Sequence, residues 1–399
     1  MLKAAWADVS RNRRNKPSYH RVGLDKESLY SFSERLESNV AHLSSELRKG
    51  DFRFGGLQPA FVPKANGKDR LICIPAVRDR VVQRALLTFL RPKNSWMANG
   101  VSFGFVPDLS VSDALAQARE LRRRKPWVFK TDITAFFDHM DREILSGLLR
   151  RRMRHTTLLP LFEAAIRCEI EPANAAQKKK LLRDFSVQPG RGVRQGMPLS
   201  PYFANLMLEP FDRACVRARM DAIRYADDLA FFVSSEEEAL QAQEFCLAQL
   251  RSLRLDIPVL ADGSKTRIYR PEEAAEFLGQ ELALTARGDY ELRVSAAQMA
   301  RMKAQILTFG SLSELQLRGY DISRFGNALL ASVRAYASVY EDCANANDVA
   351  THLENCRREA LERILVELGI KPRELTAKQA WFLGLQKAEG QRTSAKIPR

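Results

Sequence analysis

The stretch Ile223-Arg224-Tyr225-Ala226-Asp227-Asp228-Leu229-Ala230-Phe231-Phe232-Val233 constrains the fold more than any other part of the chain. Apolar residues flank two adjacent carboxylates, so the segment reads as two β-strands joined at an acidic tip. Aspartate tolerates tight turns, which taken alone would account for the pair. A second apolar run, Trp127-Val128-Phe129-Lys130-Thr131-Asp132-Ile133, also ends on a lone carboxylate, and Thr134-Ala135-Phe136-Phe137-Asp138 and a helix follow it. Unpaired carboxylates on buried strands are costly unless cations compensate them. Carboxylates from neighbouring strands can jointly hold two metal ions about 4 Å apart, the arrangement that clamps attacking and leaving oxygens in phosphoryl transfer.

Composition says which ions and partners are compatible with those carboxylates. Lys and Arg total 63 against 48 Asp and Glu, a formal net charge of +15, so a polyanionic partner is the first expectation. The six cysteines include no C-x-x-C, and the five histidines are scattered, which leaves no zinc ribbon, redox pair or H-E-x-x-H site. Any metal must therefore be held by oxygen, and Mg²⁺ suits carboxylates completed by waters and substrate phosphates. Hydrophobic residues at 45% support a packed interior, and the length suggests two or three domains. The apolar runs are short and broken by charges, and the N-terminus lacks a signal-peptide core, so a cytoplasmic protein without a membrane span is expected.

Pattern changes divide the chain. Residues 1–50 form a basic N-terminal extension with Arg11-Asn12-Arg13-Arg14-Asn15-Lys16 and a helical run from Leu29 to Leu47 ending at Gly50. Residues 51–125 mix short strands such as Leu71-Ile72-Cys73-Ile74 with helices from about Asp79 to Leu90 and Ser112 to Arg124. Strands and helices alternate from 126 to about 280, giving an α/β or α+β core. Beyond about 294 the spacing of Leu329, Leu330, Val333, Tyr336, Ala337 and Tyr340 is helical, and so is that of Leu361, Ile364, Leu365 and Leu368 before Gly369. A basic, apolar-poor tail follows from Lys387, expected to be mobile or ordered only by a partner.

Between the two acidic segments lies Gly192-Val193-Arg194-Gln195-Gly196-Met197-Pro198-Leu199-Ser200-Pro201, leading into a helix through Phe203, Leu206, Met207 and Phe211. The acidic tip, the strand end Asp132-Ile133-Thr134-Ala135-Phe136-Phe137 and this loop resemble, in kind and order, three motifs of reverse transcriptases. Upstream, Phe61 to Pro75 with Arg78-Asp79-Arg80-Val81-Val82-Gln83 resembles the fingers of bacterial and group II intron-like enzymes. Ser102-Phe103-Gly104-Phe105-Val106-Pro107 resembles the next block, with Val106 where the related pattern often has arginine. Downstream, Gly263-Ser264-Lys265-Thr266 resembles the family's lysine motif and Phe277-Leu278-Gly279 its primer grip, so the resemblance runs from about 55 to 280.

The resemblance implies an α+β right-hand polymerase. Fingers would occupy 51–125, a palm of antiparallel sheet with helices 126–280 with finger elements interleaved, an all-helical thumb 281–386 and a basic tail 387–399. It implies an RNA-directed DNA polymerase that makes cDNA by two-metal phosphoryl transfer, with Mg²⁺, or Mn²⁺ in its place. Asp132, Asp227 and the Ile133 backbone would bind the metals, with Asp228 completing the cluster; because adjacent strand residues face opposite ways, Asp227 is the better direct ligand. Lys64, Lys68 and Arg70 would neutralise the incoming triphosphate, Gln195 and Gly196 would lie under nucleotide and template, and Phe137 would act as a gate against a 2′-hydroxyl. Lys265 would assist the leaving pyrophosphate, and Phe277, Leu278 and Gly279 would hold the primer. The partners implied are template RNA, deoxynucleotides and the DNA product, with no membrane, and a homo-oligomer or partner protein is compatible.

Arg301, Lys303, Arg318, Arg324 and Arg334 are expected to track a nucleic-acid backbone. The runs Arg122 to Lys125, Arg150 to Arg154 and Lys178-Lys179-Lys180 are denser than a solvated face requires, so at least one is expected to contact a structured RNA, with Trp6, Tyr19 or Trp96 stacking on bases. Gln195-Gly196 differs from the Ser-Gln typical of diversity-generating enzymes, no Cys/His cluster follows residue 280 as a group II nuclease would need, and no clear retron signature is present. What remains resembles compact, stand-alone bacterial reverse transcriptases associated with antiphage defence, which commonly work with a dedicated non-coding RNA. The alternatives are a retron-like or intron-derived enzyme and, from another class, a catalytically silent RNA-binding scaffold.

Overall fold

A computed structural model describes residues 1–11, 22–63, 69–154, 156–185 and 187–385. Lys64, Lys68, Tyr19, most of the Arg11–Lys16 run and the 387–399 tail lie outside the described residues.

Helices α1 (Leu2–Arg11), α2 (Leu29–Glu34) and α3 (Leu36–Lys49) come first, the run expected from Leu29 being interrupted at Arg35 and ending at Gly50. The antiparallel hairpin β1 (Gln58–Pro63) and β2 (Asp69–Ile74) sets Val62 opposite Arg70. Helices α4 (Val77–Leu90) and α5 (Val111–Arg124) follow, α5 opening on a reciprocal cap between Ser110 and Asp113.

The central sheet begins with β3 (Trp127–Asp132). Helices α6 (Phe136–His139), α7 (Arg142–Arg152), α8 (Leu159–Ile166), α9 (Ala175–Asp184) and α10 (Ser200–Arg217) separate it from β4 (Ala222–Tyr225) and β5 (Asp228–Val233). Helix α11 (Glu236–Ser252), started by a Ser235 cap and three glutamates, leads to β6 (Arg267–Tyr269). The strand order is β4-β5-β3-β6, with every neighbour antiparallel. Strand β3 is therefore flanked by β5 on one side and β6 on the other, and the register puts Asp132 directly opposite Asp228. Phe129, Phe203, Phe211 and Phe231 are buried against this sheet, and the Phe129 and Phe231 rings stand 5.7 Å apart. Each such side chain contributes roughly 1.5–3 kcal/mol by leaving water, which makes the sheet a firm platform for its polar edge.

Strands β7 (Ala275–Phe277), β8 (Gln280–Leu284) and β9 (Tyr290–Arg293) form a three-stranded sheet in that order. The segment expected to be helical from residue 281 thus opens with strands. The reason is visible in the burial of alternate residues, Gln280 and Leu282 on one strand and Tyr290 and Leu292 on the other, a period of two that no helix accommodates.

The chain folds as two compact units, Met1–Leu278 with Leu282–Tyr290, and Gly279–Glu281 with the residues from Glu291 onward. The residues expected to form fingers and palm share the first unit, except Gly279 and Gln280. The second contains α12 (Ala296–Leu307), α13 (Leu312–Arg318), α14 (Ile322–Val339), α15 (Ala346–Glu367) and α16 (Ala377–Phe382). All six cysteines are buried as free thiols, and among the described residues no helix is long and apolar enough to cross a membrane.

Candidate active site

The antiparallel register carries the acidic residues together. Asp132 ends β3, Asp228 begins β5 across from it, and the Ile133 amide donates to the Asp227 carbonyl at 3.1 Å. Lys265 lies two residues before β6, the other neighbour of β3, and its ammonium donates to Asp132 Oδ2. That edge is locked by Thr131 and Thr266, both fully buried, whose hydroxyls meet at 2.7 Å while Thr266 donates to the Pro258 carbonyl at 2.6 Å. Asp132, Ile133, Phe137, Asp227 and Lys265 line one cavity of about 780 Å³, together with Arg70 from β2 and Gln195.

Burial and like charge act on these carboxylates together. Burial is the main cause that raises Asp227, with Asp132 adding to it and Lys265 and Arg70 opposing. Asp228 is pushed up to about 6 by burial, partly offset by Lys130 and reinforced by Asp227 and Asp132. For Lys265, burial works against the charged form, yet the hydrogen bond to Asp132 and the charges of all three aspartates leave its pKa raised. The ammonium thus stays protonated and supplies positive charge to the cluster rather than a readily released proton.

Asp132 Oδ1 is buried and accepts no hydrogen bond among the described residues. Such an oxygen is expensive to leave bare and suits a cation. No set of three or more His, Cys, Asp or Glu side chains among the described residues closes into a metal cage. A pair of carboxylates is nevertheless what Mg²⁺ commonly uses when waters and substrate phosphates complete its shell, and Asp132 and Asp227 on one cavity wall fit that pattern.

The turn between β4 and β5 is held from beneath by residues whose role the sequence pattern did not reveal. Arg224, 1% exposed, grips Asp212 of α10 with two bonds of 2.7 and 2.6 Å, and donates to Ser102 Oγ, Asn205 Oδ1 and the Ala226 carbonyl. Ala226 has φ of 56°, a left-handed conformation that a residue with a Cβ adopts only when its surroundings impose it. Gly104 lies against the same turn, where an added Cβ would stand 2.3 Å from the Ala226 nitrogen. An Arg immediately before the tip was the one available signal, and it needed a buried acid elsewhere in the chain to be interpreted.

Gln195 reaches the cavity because its loop is tied to the chain around it. The Cys73 amide donates to the Gln195 carbonyl at 2.7 Å, the Val193 amide to the Phe137 carbonyl at 2.7 Å, and Glu169 clamps both Arg142 and Arg194. Gly196 has φ of 109°, and a Cβ there would meet the Cys73 carbonyl at 2.4 Å. Its close approach is therefore to strand β2, not only toward a bound nucleotide as expected. Phe136 and Phe137 both line the cavity, Phe137 half-buried and Phe136 2% exposed. Phe277 is buried at the end of β7, and Leu278 and Gly279 form a two-residue turn with φ of 50° and 80°.

The basic runs divide sharply. Arg122 is fully buried, donates to the carbonyls of Pro126, Arg270, Glu273 and Leu282, and lies over the Tyr290 ring; Arg123 pairs with Asp289 and Lys125 with Asp221. Arg122 is therefore a structural residue of that run, and Arg123 and Lys125 are held in surface ion pairs. Arg150 and Arg152 pair with Glu163 and Glu209, and Lys180 with Asp69 and Asp184. Trp6 is 7% exposed and stacked on Phe32, and Trp96 is covered by Arg152, so neither presents a free face for a base. In the second unit Lys303 pairs with Glu359, Arg318 with Glu314 and Arg324 with Asp321.

The sequence profile of the family described as "Reverse transcriptase (RNA-dependent DNA polymerase)" matches residues 62–282, more than half of the chain. The chain belongs to the reverse transcriptase family. It is thus an RNA-directed DNA polymerase with the α+β fold of that family, whose members generally use divalent metal ions. Protein YkfC of Escherichia coli (strain K12) is 27% identical over 334 residues, covering 72% of this reverse transcriptase and 82% of YkfC. The group II intron-encoded protein LtrA of Lactococcus lactis subsp. cremoris is 24% identical over 185 residues, 46% of this chain and 29% of LtrA. The solved telomerase of Candida albicans, in complex with a TWJ fragment of telomeric RNA, aligns at 12% identity with TM-score 0.43 over 90% of this chain and 68% of that one.

Proposed function

We propose that this reverse transcriptase copies a dedicated structured non-coding RNA into cDNA by Mg²⁺-dependent phosphoryl transfer in the cavity of Asp132 and Asp227, and serves in antiphage defence. The observation that carries the chemistry is the convergence of these two carboxylates, with the bare Asp132 Oδ1, on a cavity also lined by Arg70 and Lys265. When bound, the divalent ions would supply Lewis-acid stabilisation of the oxygens on which charge develops. Asp132, Asp227 and the Ile133 backbone are their proposed ligands, with Asp228 completing the acidic cluster. In the step itself the primer 3′-hydroxyl loses its proton to solvent, its oxygen forms a bond to the α-phosphorus, the bond to the bridging oxygen breaks, and pyrophosphate leaves. Arg70 neutralises the triphosphate, its planar fork suiting phosphate oxygens. Lys265 holds positive charge beside Asp132 and stabilises the leaving group electrostatically. Phe137 limits space at the sugar, Gln195 supports the nucleotide and template, and Phe277, Leu278 and Gly279 hold the primer. Fingers over 51–125, a palm over 126–280 and a thumb whose helices begin at α12 complete this reading.

The net charge of +15 supports an RNA partner beyond the duplex in the cleft. The similarity to LtrA favours an intron-derived enzyme as the second reading. Three measurements test this reading. Asp132→Asn and Asp227→Asn should each abolish extension of a DNA primer on an RNA template in Mg²⁺, and full extension by a folded variant would remove the assignment. Sequencing the co-purifying nucleic acid before and after adding deoxynucleotides should reveal one RNA and its cDNA. Expression should lower phage plating efficiency, an effect lost in Asp227→Asn; plating that is unchanged removes the defence reading and leaves the chemistry standing.

A further inference from the structure

A second cavity, of about 340 Å³, shares no lining residue with the catalytic one. It lies where the ends of α4 and α7 meet the start of α10, and its polar wall comprises Lys93, Arg151, Arg152, Arg154, Thr156 and Tyr202. Of the four cations, Arg152 is committed: it pairs with Glu209 and stacks over the Trp96 ring. Lys93, whose ammonium lies over the Phe89 ring, and Arg151 and Arg154 have no carboxylate partner among the described residues, in contrast to Arg150 next to the arginines in sequence.

The second observation is Tyr202. It is 4% exposed, lines this cavity, and its hydroxyl has no hydrogen-bond partner among the described residues. A buried hydroxyl without a partner is costly and calls for an occupant. Burial pushes the phenol up to about 12 despite Arg152, so the group stays protonated and can donate. A neutral donor among unpaired cations specifies an acceptor-rich anion.

We infer that this cavity binds phosphate groups of an RNA backbone, outside the catalytic cleft. Its chemistry alone would suit any phosphate. What favours a polymer is the adjoining cavity, which shares Arg151 and Arg152 and adds Arg213: Glu209, the sole acid on either wall, pairs with both Arg152 and Arg213, so five cations against one carboxylate extend beyond the reach of one phosphate. The proposal rests on the reading that this protein works on RNA and deepens it by naming where a second stretch of that RNA sits.

The test uses the full chain with its catalytic cleft saturated by a short template–primer duplex, and measures binding of a labelled RNA stem-loop. Tyr202→Phe removes one oxygen and should weaken binding roughly two- to tenfold without lowering the melting temperature, since the oxygen lost is unpaired. Arg151→Ala with Arg154→Ala should flatten the log–log salt dependence by about 0.7–0.9 per lost contact. Arg48→Ala with Lys49→Ala, which removes equal charge from an exposed helix end, should leave binding nearly unchanged. Extension of the short duplex should stay at the parental rate in all of them; if the parent itself fails to extend, the polymerase reading falls and the binding comparison still stands. Equal RNA loss in the Arg48/Lys49 pair reduces the site to bulk charge and overturns the inference. Unchanged RNA affinity in Tyr202→Phe and the arginine pair overturns it too, and calorimetry with inorganic phosphate then tells whether a free anion is the occupant.

Discussion

Replacing Asp228 with Asn should stabilise the metal-free protein while destroying its activity. The carboxyl is pushed from the ordinary 3.8 to about 6, chiefly by burial. Because the folded pKa lies above the unfolded one, the protonated form is favoured in the fold. Stability is full below about pH 4, falls as pH rises toward 6, and stays at the lower level above it. Two pH units at about 1.4 kcal/mol each give a burden of about 3 kcal/mol at pH 8. Asparagine is nearly isosteric and carries no charge, so it relieves most of that burden. Urea unfolding in EDTA, followed by the fluorescence of Trp127 on the same sheet, should put Asp228→Asn about 2–3 kcal/mol above the parent at pH 8 and level with it at pH 4. Adding Mg²⁺ should raise the parent more than the variant, closing the gap, because the ions offset the same repulsion. Primer extension by the variant should be undetectable. A variant less stable than the parent at pH 8, or equally displaced at both pH values, would refute the electrostatic account of this cluster.

Arg224→Lys keeps the charge, but one ammonium cannot reach Asp212, Asn205, Ser102 and the Ala226 carbonyl together; kcat for extension should drop about tenfold to a hundredfold, with KM for nucleotide little changed and the circular dichroism retained. Asp212→Ala strands the buried guanidinium and should cost about 3–5 kcal/mol in denaturation, so a loss under 1 kcal/mol would show the pair to be dispensable. Gly104→Ala drives a Cβ to within 2.3 Å of the Ala226 nitrogen and should displace the acidic turn, read as lost extension in a protein destabilised by about 1–3 kcal/mol. Phe137→Ala should raise ribonucleotide over deoxyribonucleotide incorporation by roughly ten- to a hundredfold in single-nucleotide extension; an unchanged ratio assigns the ring to packing.

The order of residues is enough to establish the identity and local setting of the chemical groups. An apolar run on each side of Asp227 and Asp228 can bury itself only as paired strands, and a lone Asp132 at the end of another such run leaves few places for it in a sheet. Helix α14 and the stop of α15 before Gly369 were legible for the same reason, since periodicity reports which face of an element is buried. Strands β8 and β9 were not recognised, because runs of four or five residues with half their side chains polar carry little periodic signal. Which groups meet depends on the fold. Arg122 and Arg151 look alike in their basic runs, yet one is enclosed by four backbone carbonyls contributed mostly from more than 140 residues downstream, and the other stands unpaired at a cavity. Lys265 meets Asp132 across 133 positions, and Thr131 meets Thr266 across 135, because both pairs follow from β6 lying beside β3. Charge and period are properties of a segment, whereas the pKa of a carboxylate and the availability of a cation depend on which remote surface packs against it.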